Sequence, residues 1–218
     1  MDHDFWLRRW EENLIGFHQS EVNAHLKELW DKFEVPGESV AFVPMCGKSL
    51  DMLWLRSRGL RVMGVELSEL AVASFFAGNG LKPETRVEGS FKIYKTEGVE
   101  IFCGDFFSLE KGSLSSVRFV YDRAALVALP PDMRKRYADD MAEKLPKNAV
   151  MALLALEYEQ GEMEGPPFSV PEKEVVSLFS ENFKIEKLRE RDVSGADMET
   201  FRKRGLGSLL EKVYKLKN

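Results

Sequence analysis

The chain is poor in the residues that build disulfide scaffolds and metal sites. Its 218 residues include two cysteines, Cys46 and Cys103, and three histidines. Two such thiols give neither a disulfide framework nor a metal-ligand spacing, so no metal is implied and a reducing, cytoplasmic compartment is the plain expectation. Long apolar runs are also missing: none approaches the roughly 20 residues that a membrane-spanning helix needs. The start, Met-Asp-His-Asp-Phe-Trp, lacks a basic stretch followed by an apolar one, so no signal peptide is expected. Positive charge is not in surplus. With 31 Lys and Arg against 36 Asp and Glu, the net charge is −5, which removes any general electrostatic case for nucleic acid or an anionic membrane as partner. Repeats, low-complexity tracts and linkers are absent as well. What is present, 44% hydrophobic and 31% charged residues, suits one globular domain with a sizeable core over residues 1–218. No sustained exposed apolar pattern stands out, and a monomer is expected.

The most informative stretch is residues 39–69. Val40 to Val43 is a short apolar run, Pro44 to Lys48 a turn, and Ser49 starts a helical pattern that Gly59 ends. Leu60 to Val65 is a second apolar run, closed by a carboxylate, Glu66. Strand, turn, helix, strand, acid is half of a nucleotide-binding α/β unit. Continuous apolar runs fit parallel strands buried on both faces, and the turn after the first strand falls at the carboxyl edge, where such folds bind ligands. Gly47 lets backbone approach a neighbour closely. Glu66 either accepts hydrogen bonds from two ribose hydroxyls or is an ordinary helix N-terminal acid beside Ser68. Two familiar patterns fail here. A dinucleotide fingerprint needs three spaced glycines and only Gly47 is present, and the first glycine of a P-loop would fall on Phe42. Among common ligands with an adenosine ribose, S-adenosylmethionine remains.

Elsewhere, helices are predicted over Asp4 to Asn13, Val22 to Phe33 and Glu69 to Gly78, from Pro130-Pro131 to about Leu145, and over Pro171 to Phe179. Trp6 and Trp10 share one face of the first helix, either as packing or as part of a lid closing over a ligand. Core strands are predicted at Glu100 to Cys103, Val117 to Tyr121 and Ala149 to Leu156, and an antiparallel hairpin from Phe183 to Arg191 and Leu209 to Leu216. Residues 84–98 are polar and give only a weak strand signal at Phe91, Ile93 and Tyr94. Two further strand ends carry acids. Gly104-Asp105 follows the third strand, and Asp105 either meets an adenine amino group or caps a turn. Asp122-Arg123 ends the fourth, where Arg123 is either half of a structural ion pair or a cation facing an anionic substrate. Gly165-Pro166-Pro167-Phe168 is a stiff turn able to wall a pocket.

Phe-Trp-Leu-Arg-Arg-Trp, Ile-Gly-Phe-His-Gln, Val-Pro-Met-Cys-Gly-Lys-Ser-Leu-Asp-Met, Gly-Val-Glu-Leu-Ser, Tyr-Asp-Arg-Ala-Ala-Leu-Val-Ala-Leu-Pro and Gly-Pro-Pro-Phe-Ser-Val, in this order, resemble the thiopurine S-methyltransferase family, above all its bacterial members. The resemblance covers nearly the whole chain. It implies a class I methyltransferase fold: a Rossmann-like three-layer α/β sandwich on a seven-stranded, mostly parallel sheet with its last strand antiparallel, with residues 1–35 as an N-terminal helical lid. It implies S-adenosylmethionine as methyl donor, S-adenosylhomocysteine as product and a small-molecule thiol or other chalcogen as acceptor. By motif position, cofactor contacts fall on Trp6, Trp10, Met45, Glu66, Gly104, Asp105 and Arg123. Phe17 matches the family's substrate-contacting aromatic, Arg123 serves the acceptor as well, and His18 is the nearest proton acceptor, with a packing role as its plain alternative. Met45 stands where leucine is more frequent, a swap that keeps volume. Vertebrate members carry a second substrate-side arginine at a position that falls near Thr200 here, with Arg202 and Arg204 close by. Two other functions compete with thiol methylation: methylation of selenium or tellurium compounds, and binding of S-adenosylmethionine without catalysis.

Overall fold

The computed structural model describes residues 3–193 and 195–218. The fold has two compact units, Asp2–Tyr121 and Asp122–Asn218. In the first, the strands lie in the order β3-β4-β5-β2-β1-β6. Strands β1 (Val40–Val43), β2 (Arg61–Glu66), β5 (Val99–Cys103) and β6 (Val117–Arg123) form its parallel part. All four residues of β1 are buried, as are all of β2 after Arg61. That is why both read as uninterrupted apolar runs; helices α3 (Asp51–Ser57) and α4 (Glu69–Gly78) pack on β2 and β5.

Strand β4 (Phe91–Thr96) falls on the weak strand signal at Phe91, Ile93 and Tyr94, whereas β3 (Glu84–Glu88) was not anticipated. They form an antiparallel hairpin closed by a two-residue loop, Gly89-Ser90, and β4 pairs antiparallel with β5. Gly89 has φ +57°, the left-handed conformation such loops require. With this pair the described residues hold nine strands where seven were expected; the other seven correspond one for one.

Helix starts are set by caps. Helix α2 (Ala24–Phe33) begins two residues later than its apolar pattern because the Asn23 side chain accepts from the N–H groups of His25 and Leu26 at 3.0 and 3.4 Å. Ser68 caps α4, accepting from the Ala71 N–H at 3.2 Å. The first helix, α1, spans His3–Glu11.

In the second unit the strand order is β7-β9-β8, with β9 (Leu210–Lys217) antiparallel to both β7 (Val150–Glu157) and β8 (Lys184–Asp192). Helix α5 (Pro131–Lys144) carries proline in its first turn, where the missing N–H costs nothing. Helices α6 (Glu172–Phe179) and α7 (Gly195–Arg202) complete the unit. The segment around Pro166-Pro167 is tied down at many points. Tyr158 donates its hydroxyl to the Pro167 carbonyl at 2.6 Å, and the Phe168 N–H donates to Val127 at 2.7 Å. The buried Arg134 guanidinium donates to the carbonyls of Leu129 and Ser169 and to Glu174. No helix among the described residues is long and apolar enough to cross a membrane.

Candidate active site

Three strand ends of the first unit carry the site. After β1 the chain turns through Met45 and Gly47, both left-handed at φ +47° and +52°. For a non-glycine residue such as Met45 this conformation is strained, and it persists because the surroundings hold it. Glu66, the last residue of β2, supplies the hold. Its Oε2 accepts from the Gly47 N–H and its Oε1 from the Ser68 N–H, each at 2.8 Å. One carboxylate therefore ties the turn after β1 to the start of α4. Glu66 is only 7% exposed, and burial pushes its carboxyl above the usual carboxylate range despite the opposing N–H groups of Ser68, Gly47 and Leu67. A carboxylate offers about four lone-pair positions, so Glu66 keeps acceptor capacity beyond the backbone N–H groups that face it. That remaining capacity fits a ribose diol.

After β5, the Gly104 N–H donates to the Glu66 carbonyl at 2.9 Å, which places this turn beside β2. Asp105 Oδ1 accepts from the Phe107 N–H at 3.0 Å, so the capping role is present in the structure. Its Oδ2 lies 3.5 Å from His3 Nε2.

Helix α1 crosses this edge. Its start meets Asp105 through His3. At its other end, Trp10 lies over Gly47: a Cβ at Gly47 would fall 3.1 Å from the Trp10 ring. The close approach that Gly47 permits is thus made by Trp10. Seven residues of helix rise about 10 Å, and β1 and β5 flank β2 two strand spacings apart, also about 10 Å. The helix consequently spans the edge at which Glu66 ends. Trp6 and Trp10 both meet Phe17 edge-on, with centroids 5.9 and 5.6 Å apart. The segment after α1 folds back so that one aromatic group gathers Trp6, Trp10 and Phe17. Trp10 is buried, while Trp6 and Phe17 are half-buried. His18, next to Phe17, is half-buried and donates its backbone N–H to the Ile15 carbonyl at 2.8 Å.

Arg123 belongs to the second unit as the last residue of β6 and is half-buried. Its neighbour Asp122 is fully buried. The Asp122 Oδ1 accepts from the N–H groups of Ala125 and Leu126 at 3.1 and 3.2 Å, and Oδ2 accepts from the Tyr137 hydroxyl at 2.7 Å. Between them Ala124 is left-handed at φ +76°. Asp122 thus fixes the tight turn that follows Arg123. Tyr137, buried on α5, has no motif of its own in the sequence and was not singled out there.

The structure accordingly gathers Trp6, Trp10, Phe17, Met45, Glu66, Gly104 and Asp105 at the strand ends of the first unit and sets Arg123 on a rigid turn in the second. The sequence profile described as Thiopurine S-methyltransferase (TPMT) matches residues 1–218. The thiopurine S-methyltransferase of Pseudomonas fluorescens is 45% identical over 217 residues, covering 100% of this chain and 99% of that one. That of Methylococcus capsulatus is 45% identical over 218 residues, covering 100% and 98%. Among solved structures, 1,6-didemethyltoxoflavin-N1-methyltransferase of Burkholderia thailandensis, with bound S-adenosylhomocysteine, superposes with a TM-score of 0.66 at 15% identity, covering 99% of this chain and 87% of that one. A S-adenosylmethionine-dependent methyltransferase of Methanosarcina mazei gives 0.64 at 17%, covering 86% and 96%. These two share the fold. Matched from end to end and 45% identical to full-length members, the chain belongs to the thiopurine S-methyltransferase family, enzymes that pass a methyl group from S-adenosylmethionine to sulfur.

Proposed function

We propose that the chain methylates aromatic and heterocyclic thiols, with residues 1–218 acting as one catalytic domain and residues 1–35 as its lid. The observation that carries this reading is the edge spanned by α1: a buried acid, Glu66, between two turns, under an aromatic group. Glu66 holds the ribose through the acceptor positions that Gly47 and Ser68 leave open. Asp105, with Oδ1 accepting from its cap and Oδ2 facing His3, meets the adenine amino group through the acceptor capacity left on Oδ2. Met45, Trp6 and Trp10 supply apolar surface for the remainder of the cofactor, and Phe17 stacks on the flat acceptor.

When bound, S-adenosylmethionine supplies an electrophilic methyl group on a cationic sulfur. The chain's own work is alignment and exclusion of water. A heterocyclic thiol is already acidic, so a strong base is not demanded. The guanidinium of Arg123 favours the anionic sulfur, and His18 is the residue that takes a proton where the acceptor arrives as the thiol. Small molecules are the partners in this reading. A monomer in the cytoplasm needs nothing beyond the groups named.

The test is transfer of a labelled methyl group from S-adenosylmethionine to 6-mercaptopurine. Turnover is expected. Glu66→Ala should weaken S-adenosylhomocysteine binding at least tenfold, and an unchanged Kd would remove its ribose role. Absence of turnover with S-adenosylhomocysteine still bound would move the acceptor to selenium or tellurium compounds. Failure of every acceptor would leave a binding protein.

A further inference from the structure

The β3-β4 hairpin reaches the site through one side chain. Phe91, the first residue of β4, is 7% exposed and stands against Phe102 with centroids 5.8 Å apart. The β4-β5 register pairs Lys92 with Cys103, so Phe91 falls opposite Gly104. A Cβ at Gly104 would lie 2.6 and 2.9 Å from two atoms of the Phe91 ring and 3.2 Å from the Ser90 carbonyl. The ring therefore fills the space of the side chain that Gly104 lacks. Gly104 in turn bonds to the Glu66 carbonyl. A continuous line of contact runs from the hairpin loop through Phe91 and Gly104 to the end of β2.

We propose that Phe91 is a positioning residue for S-adenosylmethionine: the hairpin wedges its ring against Gly104 and so fixes the turn that presents Asp105 beside Glu66. The inference rests on the reading of Gly104, Asp105 and Glu66 as cofactor contacts. It gives the hairpin a task in a sheet whose other strands already form the expected core. It also explains why this turn requires glycine: Gly104 has no positive φ, so the demand comes from the neighbouring ring rather than from backbone conformation.

The experiment is S-adenosylhomocysteine binding by titration calorimetry, well below each variant's Tm, for wild type, Phe91→Ala, Gly104→Ala, the double variant and Glu66→Ala. Phe91→Ala is expected to raise the Kd about tenfold. The KM for S-adenosylmethionine should rise by a similar factor while kcat falls less than twofold, the pattern of lost binding rather than lost chemistry. Gly104→Ala should bind worse still, and the double variant better than Gly104→Ala alone, because removing the ring relieves the clash. A merely structural Phe91 would lower Tm and leave the Kd within twofold of wild type, and that result overturns the proposal. So does additivity of the two substitutions in the double variant. If Phe91→Ala does not fold, Phe91→Leu carries the test under the same twofold criterion. Should Glu66→Ala and Gly104→Ala also bind normally, the cofactor reading itself fails. If those two weaken binding and the Phe91 variants do not, only the wedge fails.

Discussion

Asp122 shows most directly how burial and hydrogen bonding compete over one side chain. Three donors, the N–H groups of Ala125 and Leu126 and the hydroxyl of Tyr137, favour its charged form. Burial disfavours that form more strongly, and the carboxyl is pushed up from 3.8 to about 6. The folded chain thus binds this proton more tightly than the unfolded chain does. Linkage then gives the sign: the group's contribution to stability is greatest below about pH 4, declines as pH rises to about 6, and is constant above. Two pKa units correspond to about 3 kcal/mol as an upper estimate. Asp122→Asn keeps an acceptor for both amides and removes the buried charge. Its stability relative to wild type should therefore increase between pH 4 and pH 6. Urea unfolding of both proteins across that range measures it, and curves that stay parallel would refute the assignment. Gly47 offers a second residue-scale prediction. Gly47→Ala meets both a left-handed backbone and the Trp10 ring at 3.1 Å, and a loss of about 1–2 kcal/mol in the same assay is expected.

Helix α1 is too short, at nine residues, to be stable without tertiary contacts. What holds it are the His3–Asp105 contact, Trp10 on Gly47 and the edge-on pairing of both tryptophans with Phe17. All of these are packing contacts at the proposed cofactor edge, and the proposed lid role is what a Trp10 variant tests. Trp10→Ala should raise the KM for S-adenosylmethionine about fivefold or more; a variant that only melts earlier would leave packing as the whole role. The elements were legible in the sequence where local pattern and tertiary position agree. Val40 to Val43 and Leu60 to Val65 read as strands because nearly every position in them is buried and apolar, and the apolar pattern after Glu66 gave α4. The β3-β4 hairpin was only half legible: Phe91, Ile93 and Tyr94 gave a weak strand signal for β4, while Glu84–Glu88 is exposed at every position and shows no alternation to read. The site was legible as a set of residue types at strand ends. Its contacts were not, because Glu66 reaches Gly47 only through the register of β1 on β2, and Phe91 reaches Gly104 only through that of β4 on β5. Asp122 and Tyr137 meet across fifteen residues of sequence that carry no shared motif.

At the scale of the whole chain, the two compact units raise a question of cooperativity that the tryptophans answer. Trp6, Trp10, Trp30 and Trp54 all precede Tyr121 and so report on the first unit alone. Far-UV circular dichroism reports on both. If residues 1–218 act as one domain, thermal transitions followed by the two probes coincide. A ligand that binds only the folded state then stabilises all of it. At a hundred times its Kd, S-adenosylhomocysteine contributes about 2.7 kcal/mol, and for a chain of this size each kcal/mol moves Tm by about 2–4 °C. Both probes should therefore shift together by about 5–11 °C. Glu66→Ala, tested at the same ligand concentration, should lose about half of that shift or more in both signals, because a Kd raised at least tenfold moves toward the concentration used. A tryptophan transition that rises with ligand while part of the dichroism signal stays in place would show units that melt separately, and would restrict the effect of the cofactor to the unit that carries Glu66.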